Sequence, residues 1–446
     1  MQITLNYHAE LPPVRSKNYA DQPAKLLDRN CLELDILKIQ SKGIKCNIFA
    51  VDVIQMSLLH EIIKSLGFDY VSALLDLIKR RIQKSLPSNC RLYIITPTIF
   101  CFFLRQGRPV DKVCSSLILS LRQPIGCKGI LIPTQPSIGI LTISNSDDKD
   151  WLRMVVCAAD TARERMLGWA LYQPKLDVAQ QRAFVLLSSL STAVRSNDQL
   201  RLVYQPRVTI PSLACSSVEA LIRWNHPQFG AISPAEFIPL AEKTSLIQEI
   251  SRWVLNTAAE QINRWKIQGL NFRVSVNVTA SDFETSGFVD DLAALILNST
   301  LDPSMIEFEL TESILTKNKG AVARHLKRTV NLGVRLAIDD FGTGYSNWSY
   351  LSKLPISIVK IDQSLIRHLQ KSEKNQRVVK ALIKLAKGLD YRVVAEGVNN
   401  LAVLRILAQW GCSEVQGYLI AKPMEAESLV KWLNIKKPLI FHDLKL

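Results

Sequence analysis

The sequence predicts an α/β protein in which a C-terminal (β/α)8 barrel follows a smaller α+β domain. The chain has 446 residues, of which 48% are hydrophobic, so two or three domains with sizeable cores are expected. In the C-terminal half, eight strand-like apolar runs alternate with helical patterns over about 240 residues, the usual size of a (β/α)8 barrel. In the N-terminal half, strand-like and amphipathic helical segments alternate over a shorter stretch, which favours a compact α/β or α+β domain.

The N-terminal elements follow a polar, proline-containing lead-in at residues 1–40, with one helical stretch at 24–40. Residues 41–177 form the predicted first domain. Its predicted strands lie at 45–53, 91–104, 129–132 and 137–144, and its predicted helices at 58–85 and 150–170.

Residues 178–446 form the predicted second domain, and a helix at 178–195 leads into its regular pattern. The predicted strands lie at 202–208, 218–224, 273–278, 306–311, 335–339, 358–362, 391–394 and 414–419. The predicted helices lie at 234–242, 248–268, 319–332, 375–389 and 401–411. Because the chemistry of such barrels sits at the C-terminal ends of the strands, polar residues there are the site candidates.

The composition narrows the class of protein. The formal net charge is +15, but the basic residues form no Lys/Arg block and no RNA-type aromatic motif is present, so we expect no nucleic-acid polymer as a partner. The nine cysteines include no CxxC pair, which is typical of the reduced thiols of a cytoplasmic protein. The longest apolar run, near residues 92–104, is too short to span a bilayer, and the first residues lack a signal-peptide pattern.

Polar side chains interrupt or follow most strands of the predicted barrel. They are Gln205, Glu219, Asn277, Glu309, Glu312, Asp339, Asp340, Lys360, Glu396 and Gln416. Carboxylate and amide oxygens without histidine or thiolate favour Mg²⁺ or Mn²⁺ over Zn²⁺. The adjacent carboxylates Asp339 and Asp340 repel each other unless a cation lies near them. If Asp339 bridges two ions, those ions stabilise the attacking and leaving oxygens of a phosphodiester displacement.

A structural explanation covers part of this pattern. An acid at a strand end is often a helix N-cap or an ion-pair partner, and Asp339 with Asp340 would suit capping. Lys360 could pair with the acids, orient an attacking water or neutralise a phosphate. However, seven or more polar residues on one barrel face exceed the structural explanation, because buried charge is tolerated only when it is paired or metal-bound.

The motifs around these residues resemble those of the EAL-domain cyclic-di-GMP phosphodiesterases, over about residues 193–430 and in the same order and spacing. They are Tyr204-Gln-Pro206, Glu219-Ala-Leu221 with Ile222-Arg-Trp224, Ser275-Val-Asn277, Glu309-Leu-Thr-Glu312, Asp339-Asp-Phe-Gly-Thr-Gly344, Val359-Lys-Ile-Asp362, Ala395-Glu-Gly397 and Gln416-Gly-Tyr418. The resemblance implies an EAL-type barrel that hydrolyses cyclic di-GMP to linear pGpG with two Mg²⁺ or Mn²⁺ ions.

The resemblance also implies a role for each matching residue. The implied metal ligands are Glu219, Asn277, Glu309 and Asp339 for one ion, and Asp339, Asp340 and Glu396 for the other. The implied catalytic residues are Lys360, which would contact the attacking water, together with Glu219, Glu396 and Glu312. The implied substrate contacts are Gln205, Leu221, Arg223 and Gln416, of which Gln416 also supports the site.

The loop after Asp340 links catalysis to dimerisation in this family, and Glu312 would steady it. The resemblance therefore implies a homodimer through the EAL domain. Here the loop reads Tyr345-Ser-Asn347-Trp348 where the family usually has Tyr-Ser-Ser-Leu. Since the metal and lysine positions are unchanged, the departure concerns loop packing and coupling to the dimer rather than activity.

The first domain resembles a degenerate GGDEF domain, the fold of diguanylate cyclases. The matching segments are Phe49-Ala-Val-Asp52 and residues 61–67, 136–140 and 152–170. Thr96-Pro-Thr-Ile-Phe100 stands where the family has Gly-Gly-Asp-Glu-Phe, and Ile63 replaces the guanine-binding Asn. Without the glycines the backbone cannot approach a nucleotide closely, and without the acids no metal is held. The resemblance implies a regulatory or dimerisation module without cyclase activity.

Three hypotheses for function follow. The first is a cytoplasmic phosphodiesterase that lowers cyclic di-GMP and so favours motility over biofilm. The second is a catalytically silent EAL domain that acts as a cyclic-di-GMP receptor or protein-interaction module. The third, an adaptor for RNA or a transcription factor, rests only on the basic charge.

Overall fold

The computed structural model describes residues 27–87, 90–143, 150–196, 198–210, 212–311, 314, 319–342 and 354–435. The chain divides into two compact units, residues 1–180 and 181–446. Helix α6, Pro174–Arg195, contains this division, which lies close to the boundary predicted at 177/178. No helix in the described part of the chain is long and apolar enough to cross a membrane.

The first unit is built on a five-stranded sheet in the order β2-β3-β1-β6-β7, with a separate β4–β5 hairpin. Its strands are β1 Cys46–Asp52, β2 Tyr93–Ile94, β3 Ile99–Arg105, β4 Ile125–Cys127, β5 Ile130–Ile132, β6 Ser137–Ile143 and β7 Trp169–Leu171. Its helices are α1 Arg29–Ser41, α2 Met56–Leu66, α3 Phe68–Ser85, α4 Val110–Arg122 and α5 Trp151–Glu164. The sheet is antiparallel except where β6 pairs with β7.

Several predicted elements of this unit were wrong in extent. The single helix predicted at 58–85 is two helices, because Gly67 has a φ of +81° and interrupts the helical backbone. The single run predicted at 91–104 folds back on itself, since Ile99 and Thr96 exchange backbone hydrogen bonds between β2 and β3. The helix predicted at 150–170 ends at Glu164, and its last residues form β7. Helix α4 was not predicted.

The second unit contains nine strands and eight helices among the described residues after α6. The strands are β8 Leu200–Thr209, β9 Cys215–His226, β10 Gly230–Ile232, β11 Arg273–Val278, β12 Ile306–Thr311, β13 Arg335–Phe341, β14 Ile358–Ile361, β15 Arg392–Ala395 and β16 Glu414–Gln416. The helices are α7 Pro234–Ala241, α8 Leu246–Ile267, α9 Gly287–Asn298, α10 Lys319–Asn331, α11 Gln363–Arg367, α12 Glu373–Gly388, α13 Leu401–Gln409 and α14 Ala426–Ile435. Two 3₁₀ turns, Ala280–Phe283 and Pro303–Met305, complete the described elements.

Eight of these strands close into a barrel in the order β8-β9-β11-β12-β13-β14-β15-β16, with β10 added at the side of β9. The predicted barrel is confirmed, but its first strand is not parallel to the others. β8 runs antiparallel to both β9 and β16. The few residues between Thr209 and Cys215 explain this, because a parallel pairing would need a crossover of roughly a dozen residues or more.

The reversed strand changes which end of β8 faces the site. Gln205 lies opposite Glu219 in the β8–β9 ladder, and Arg207 lies opposite Gln416 in the β16–β8 ladder. The N-terminal half of β8 therefore reaches the face where the parallel strands end. Across the barrel interior, a small apolar cluster is formed by Ala337, Ile358 and Val394. The interior also holds buried charged residues, which come from β8, β9, β12, β13, β14 and β16.

Candidate active site

A cavity of about 510 Å³ opens at the C-terminal ends of the parallel strands. Its lining residues from the predicted set are Gln205, Glu219, Leu221, Arg223, Asn277, Asp339, Glu396 and Gln416. A cavity of this size is typical of a small-ligand site. These residues from different strands therefore lie together at one end of the barrel.

Lys360 of β14 is the centre of the charged cluster at this cavity. Its side chain is 0% exposed, and its Nζ lies 2.6 Å from Glu309 Oε2, 2.7 Å from Glu396 Oε1 and 3.1 Å from Asp339 Oδ1. Glu219 Oε2 lies farther away, at 3.7 Å. The four acids come from four different strands or strand ends, so only the closed barrel assembles them.

Glu219 is held by amide side chains on both of its carboxylate oxygens. Asn277 Nδ2 donates to Oε1 at 3.0 Å, and Gln416 Nε2 donates to Oε2 at 2.6 Å. Gln416 Nε2 also lies 3.0 Å from Gln205 Oε1, and Gln205 in turn donates to the carbonyl of Ala421 at 3.0 Å. Because Asn277 donates through its nitrogen, its amide oxygen is left to accept or to bind a cation.

The carboxylates of Asp339 and Asp340 lie on the same side of β13 because this strand is irregular at Asp340. Consecutive residues of a regular strand point to opposite faces. Here the pairing of β13 with β14 shifts register between Ile338 and Phe341, and Asp340 has a φ of +53°. A bulge of this kind re-aims a side chain, and Asp tolerates the left-handed region better than most residues. As a result, oxygens of Asp339, Asp340 and Glu396 all lie within 4.8 Å of one another.

The electrostatics of the cluster are those of a site short of positive charge. Burial raises the pKa of Glu396 to about 8, with Asp339 and Glu219 adding to the effect and Lys360 opposing it. Burial, followed by the charge of Glu219, also holds the pKa of Glu309 well above its usual range. Burial alone would lower the pKa of Lys360, but the surrounding acids outweigh it and raise that pKa.

The environment of the cluster lowers the pKa of Glu219 and raises that of Asp340. Burial would raise the pKa of Glu219, but the charge of Lys360 and the amide hydrogen bonds lower it overall. Burial and the charge of Asp339 raise the pKa of Asp340. Distance from Lys360 therefore does not decide the direction of these shifts. Glu309 and Glu396 lie nearer to its amine than Glu219 does, yet burial and the neighbouring carboxylates raise their pKa values. At Glu219 the amide hydrogen bonds add to the charge of Lys360 and favour the ionised form.

These donors fit divalent cations. The cluster contains five carboxylates and the free amide oxygen of Asn277, with neither histidine nor cysteine, and such sets suit Mg²⁺ or Mn²⁺. Lys360 supplies one positive charge to these acids, and the raised pKa values of Glu309 and Glu396 indicate that further positive charge is favourable there.

Two predicted features lie outside the described residues. They are Glu312 and the loop segment with Asn347 and Trp348. The other predicted residues lie at the cavity or, for Glu309, Lys360 and Asp340, in direct contact with residues that line it.

Sequence reasoning missed some cavity residues and several buried charges. The additional lining residues include Gln363, Arg367, Asn399 and Tyr418. Three of these follow strand ends by only a few positions, so a rule that included the residues after each strand would have found them. The missed buried charges include Arg207, Glu307 and Glu414, and the sequence signal of Arg207 is a basic residue within an apolar strand.

The family profile described as EAL domain matches residues 187–423, which contain the cavity and the charged cluster. The chain belongs to the EAL domain family. It is 44% identical over 432 residues to Cyclic di-GMP phosphodiesterase PA2567 of Pseudomonas aeruginosa, covering 96% of this chain and 73% of that protein. It is 34% identical to the bifunctional diguanylate cyclase/cyclic di-GMP phosphodiesterase MucR of the same organism, over 74% of this chain and 49% of MucR.

Solved structures show the same barrel. The chain resembles the PaMucR phosphodiesterase in its c-di-GMP complex, with a TM-score of 0.52 and 41% identity over 55% of this chain and 99% of that one. It also resembles the EAL enzyme Bd1971 in its cAMP- and cyclic-di-GMP-bound form, with a TM-score of 0.54 and 30% identity over 68% of this chain and 81% of that one.

Proposed function

We propose that this EAL-family chain is a metal-dependent phosphodiesterase that hydrolyses cyclic di-GMP to linear pGpG. The observation that carries the proposal is the gathering of Glu219, Glu309, Asp339 and Glu396 around the buried amine of Lys360. The names of the relatives give the substrate, since PA2567 is a cyclic di-GMP phosphodiesterase and PaMucR was solved in complex with c-di-GMP.

The proposed cofactors are two Mg²⁺ or Mn²⁺ ions. Glu219, Asn277, Glu309 and Asp339 would hold one of them, and Asp339, Asp340 and Glu396 the other. When bound, the ions would neutralise the phosphate and lower the barrier to attack by water at phosphorus.

The side chains have separate tasks in this proposal. Lys360 is held by the acids on several sides, so its amine can donate to the attacking water or to a phosphate oxygen without changing rotamer. Arg223 lies at the cavity wall, where its guanidinium suits a phosphate group as a charged fork. Gln205 and Gln416 form the hydrogen-bonded chain that keeps Glu219 in place. Leu221 supplies an apolar contact for the substrate.

Glu219→Gln tests this proposal. The exchange keeps the shape of the side chain but removes its charge, so pGpG formation in Mn²⁺ or Mg²⁺ should fall at least about 100-fold. Glu427→Gln on the exposed face of α14 is the matched control and should retain activity. Purified protein that forms no pGpG with either ion would contradict the proposal. Tight binding of cyclic di-GMP without hydrolysis would instead identify a silent receptor.

We further infer a role for the first unit as a degenerate GGDEF-like regulatory module without cyclase activity. The turn between β2 and β3 carries Thr96, Pro97 and Thr98, so it offers neither the glycines nor the acids of the signature.

We also propose a homodimer through the EAL domain and a cytoplasmic location, with lowered cyclic di-GMP favouring motility over biofilm. All nine cysteines are free thiols, and five of them are buried, which supports a reducing compartment. Size-exclusion chromatography with light scattering tests the dimer, and a monomer at assay concentration would contradict it.

A further inference from the structure

A second layer of buried charge lies beneath the cavity, and Arg207 of β8 is its centre. The Arg207 side chain is 0% exposed. Its Nη1 lies 2.7 Å from Glu307 Oε1 and 3.2 Å from Glu309 Oε1, and its Nε donates to Ser217 Oγ at 3.1 Å. Arg207 does not line the cavity. It therefore acts on the site only through the residues that it contacts.

Both carboxylate oxygens of Glu309 accept hydrogen bonds from buried basic side chains. Oε1 accepts from Arg207, and Oε2 accepts from Lys360 at 2.6 Å. Lys360 also contacts Glu219, Asp339 and Glu396, and its single amine contacts only one oxygen of Glu309, so it does not by itself set the plane of that carboxylate. Arg207 is different because its own position is fixed by Glu307 and Ser217 on the side away from the cavity. The geometry therefore makes Arg207 the contact that sets the orientation of the Glu309 carboxylate.

We propose that Arg207 is a positioning residue that holds Glu309 in the orientation needed to bind a divalent cation. The inference rests on the proposed function in one respect, namely that Glu309 is a metal ligand. Partners that orient a metal ligand through hydrogen bonds commonly change metal affinity or activity by about 10- to 100-fold when they are removed. Arg207 would belong to that class of residue. It lies on β8, which runs antiparallel to both of its neighbouring strands.

A purely structural role for Arg207 makes a different prediction. In that case, Arg207 only balances Glu307 and Glu414, whose nearest oxygens lie 2.7 and 3.5 Å from it. Removing the charge of Arg207 together with that of Glu307 would then restore the balance and leave the metal site unchanged. Glu414 keeps its second basic partner, Arg392, in such a variant. A buried ion pair can often be replaced by neutral groups of similar volume with little loss of stability.

The test compares Arg207→Met/Glu307→Gln with Glu307→Gln alone, in the full-length chain. Mn²⁺ binding is measured by isothermal titration calorimetry without substrate, and thermal unfolding without metal confirms that each variant is folded. We expect the double variant to bind Mn²⁺ about 10- to 100-fold more weakly than the single variant. At saturating Mn²⁺, kcat should fall while KM for cyclic di-GMP stays within about twofold, because Arg207 does not reach the cavity.

Equal Mn²⁺ affinity in the double and single variants would overturn the inference, and so would a wild-type chain that binds no Mn²⁺. If the double variant does not fold, Arg207→Lys replaces it in the comparison. That variant keeps the buried charge but lacks the guanidinium fork, so it should bind Mn²⁺ more weakly than Glu307→Gln, and equal binding would again overturn the inference. Wild-type protein that binds Mn²⁺ without hydrolysing cyclic di-GMP would contradict the proposed function but not the positioning role of Arg207.

Discussion

Lys360→Met separates the ion-pair contacts of the buried amine from the catalytic role proposed for it. The exchange keeps the unbranched side chain but removes the charge that lies 2.6 to 3.7 Å from four carboxylates. Removing one partner from a buried ion pair costs about 3–5 kcal/mol, because the other charge stays buried without compensation. Without metal, the free energy of unfolding of Lys360→Met should therefore fall by about that amount, which is a large share of the roughly 5–15 kcal/mol of a typical domain.

Divalent metal should reverse much of this loss. The positive charge of Lys360 opposes a nearby cation, so its removal should make Mn²⁺ binding tighter than in the wild type. Ligand at 100 times its Kd stabilises the folded state by about 2.7 kcal/mol, so the gain on adding Mn²⁺ should be larger for the variant. Activity should nevertheless stay at least about 100-fold below wild type, because the proposed donor to water or phosphate would be missing.

The assay is urea unfolding with chelator and with Mn²⁺, combined with chromatography of pGpG. Lys384→Met is the matched control, because Lys384 is exposed on α12 and should change neither quantity by more than about 0.5 kcal/mol. The reasoning is refuted if metal-free Lys360→Met is as stable as the wild type, or if the variant binds Mn²⁺ more weakly than the wild type.

Three further predictions concern metal removal, pH and packing. Dialysis against EDTA should abolish pGpG formation, and Mn²⁺ should restore it; activity that persists after exhaustive chelation would count against a metal-dependent site. The pKa of Asp177 lies below 3.8, and the largest cause is its hydrogen bonding to Arg153. The ionised carboxylate therefore stabilises the folded state fully above about pH 4, and this stabilisation is lost as the pH falls through the folded-state pKa. The difference in unfolding free energy between wild type and Asp177→Asn, about 1–3 kcal/mol at pH 7, should therefore shrink at pH 3 in urea titrations. Gly139→Ala should destabilise the first unit by about 1–3 kcal/mol or more, because the new Cβ would lie 2.0 Å from the carbonyl oxygen of Val155. The control is Gly320→Ala, whose Cβ would meet no atom within 4 Å and which should be neutral or stabilising. Thermal unfolding measures both variants.

The barrel was predictable because the same pattern of an apolar strand followed by an amphipathic helix repeats along the sequence. A polar residue lies in or just after an apolar run at Glu219, Asp339, Lys360 and Glu396, and closure of the barrel gathers these four side chains into one cluster. Gln205 was selected for an incomplete reason. It lies in the middle of its strand, and it reaches the site only because β8 runs antiparallel, which the strand pattern alone does not encode.

Contacts between elements were less predictable. The contact of Arg207 with Glu309 joins residues 102 positions apart, and no local pattern distinguishes it from any basic residue in a strand. The bulge that turns Asp340 toward Asp339 depends on the pairing of β13 with β14. Two adjacent acids in the sequence indicated a cation site, but the sequence did not show how both carboxylates could point to the same place. In the first unit, Gly67 lies within a continuous amphipathic pattern, and only its backbone conformation reveals that the helix is interrupted.

The most direct test of the central claim is the product that the full-length chain forms from cyclic di-GMP and Mn²⁺ in water labelled with heavy oxygen. The proposed reaction predicts linear pGpG with one labelled oxygen on its terminal phosphate, because water attacks phosphorus and one phosphodiester bond breaks. Unchanged cyclic di-GMP, or pGpG without the label, would contradict the assignment of the Lys360-centred carboxylate cluster as a phosphodiesterase site.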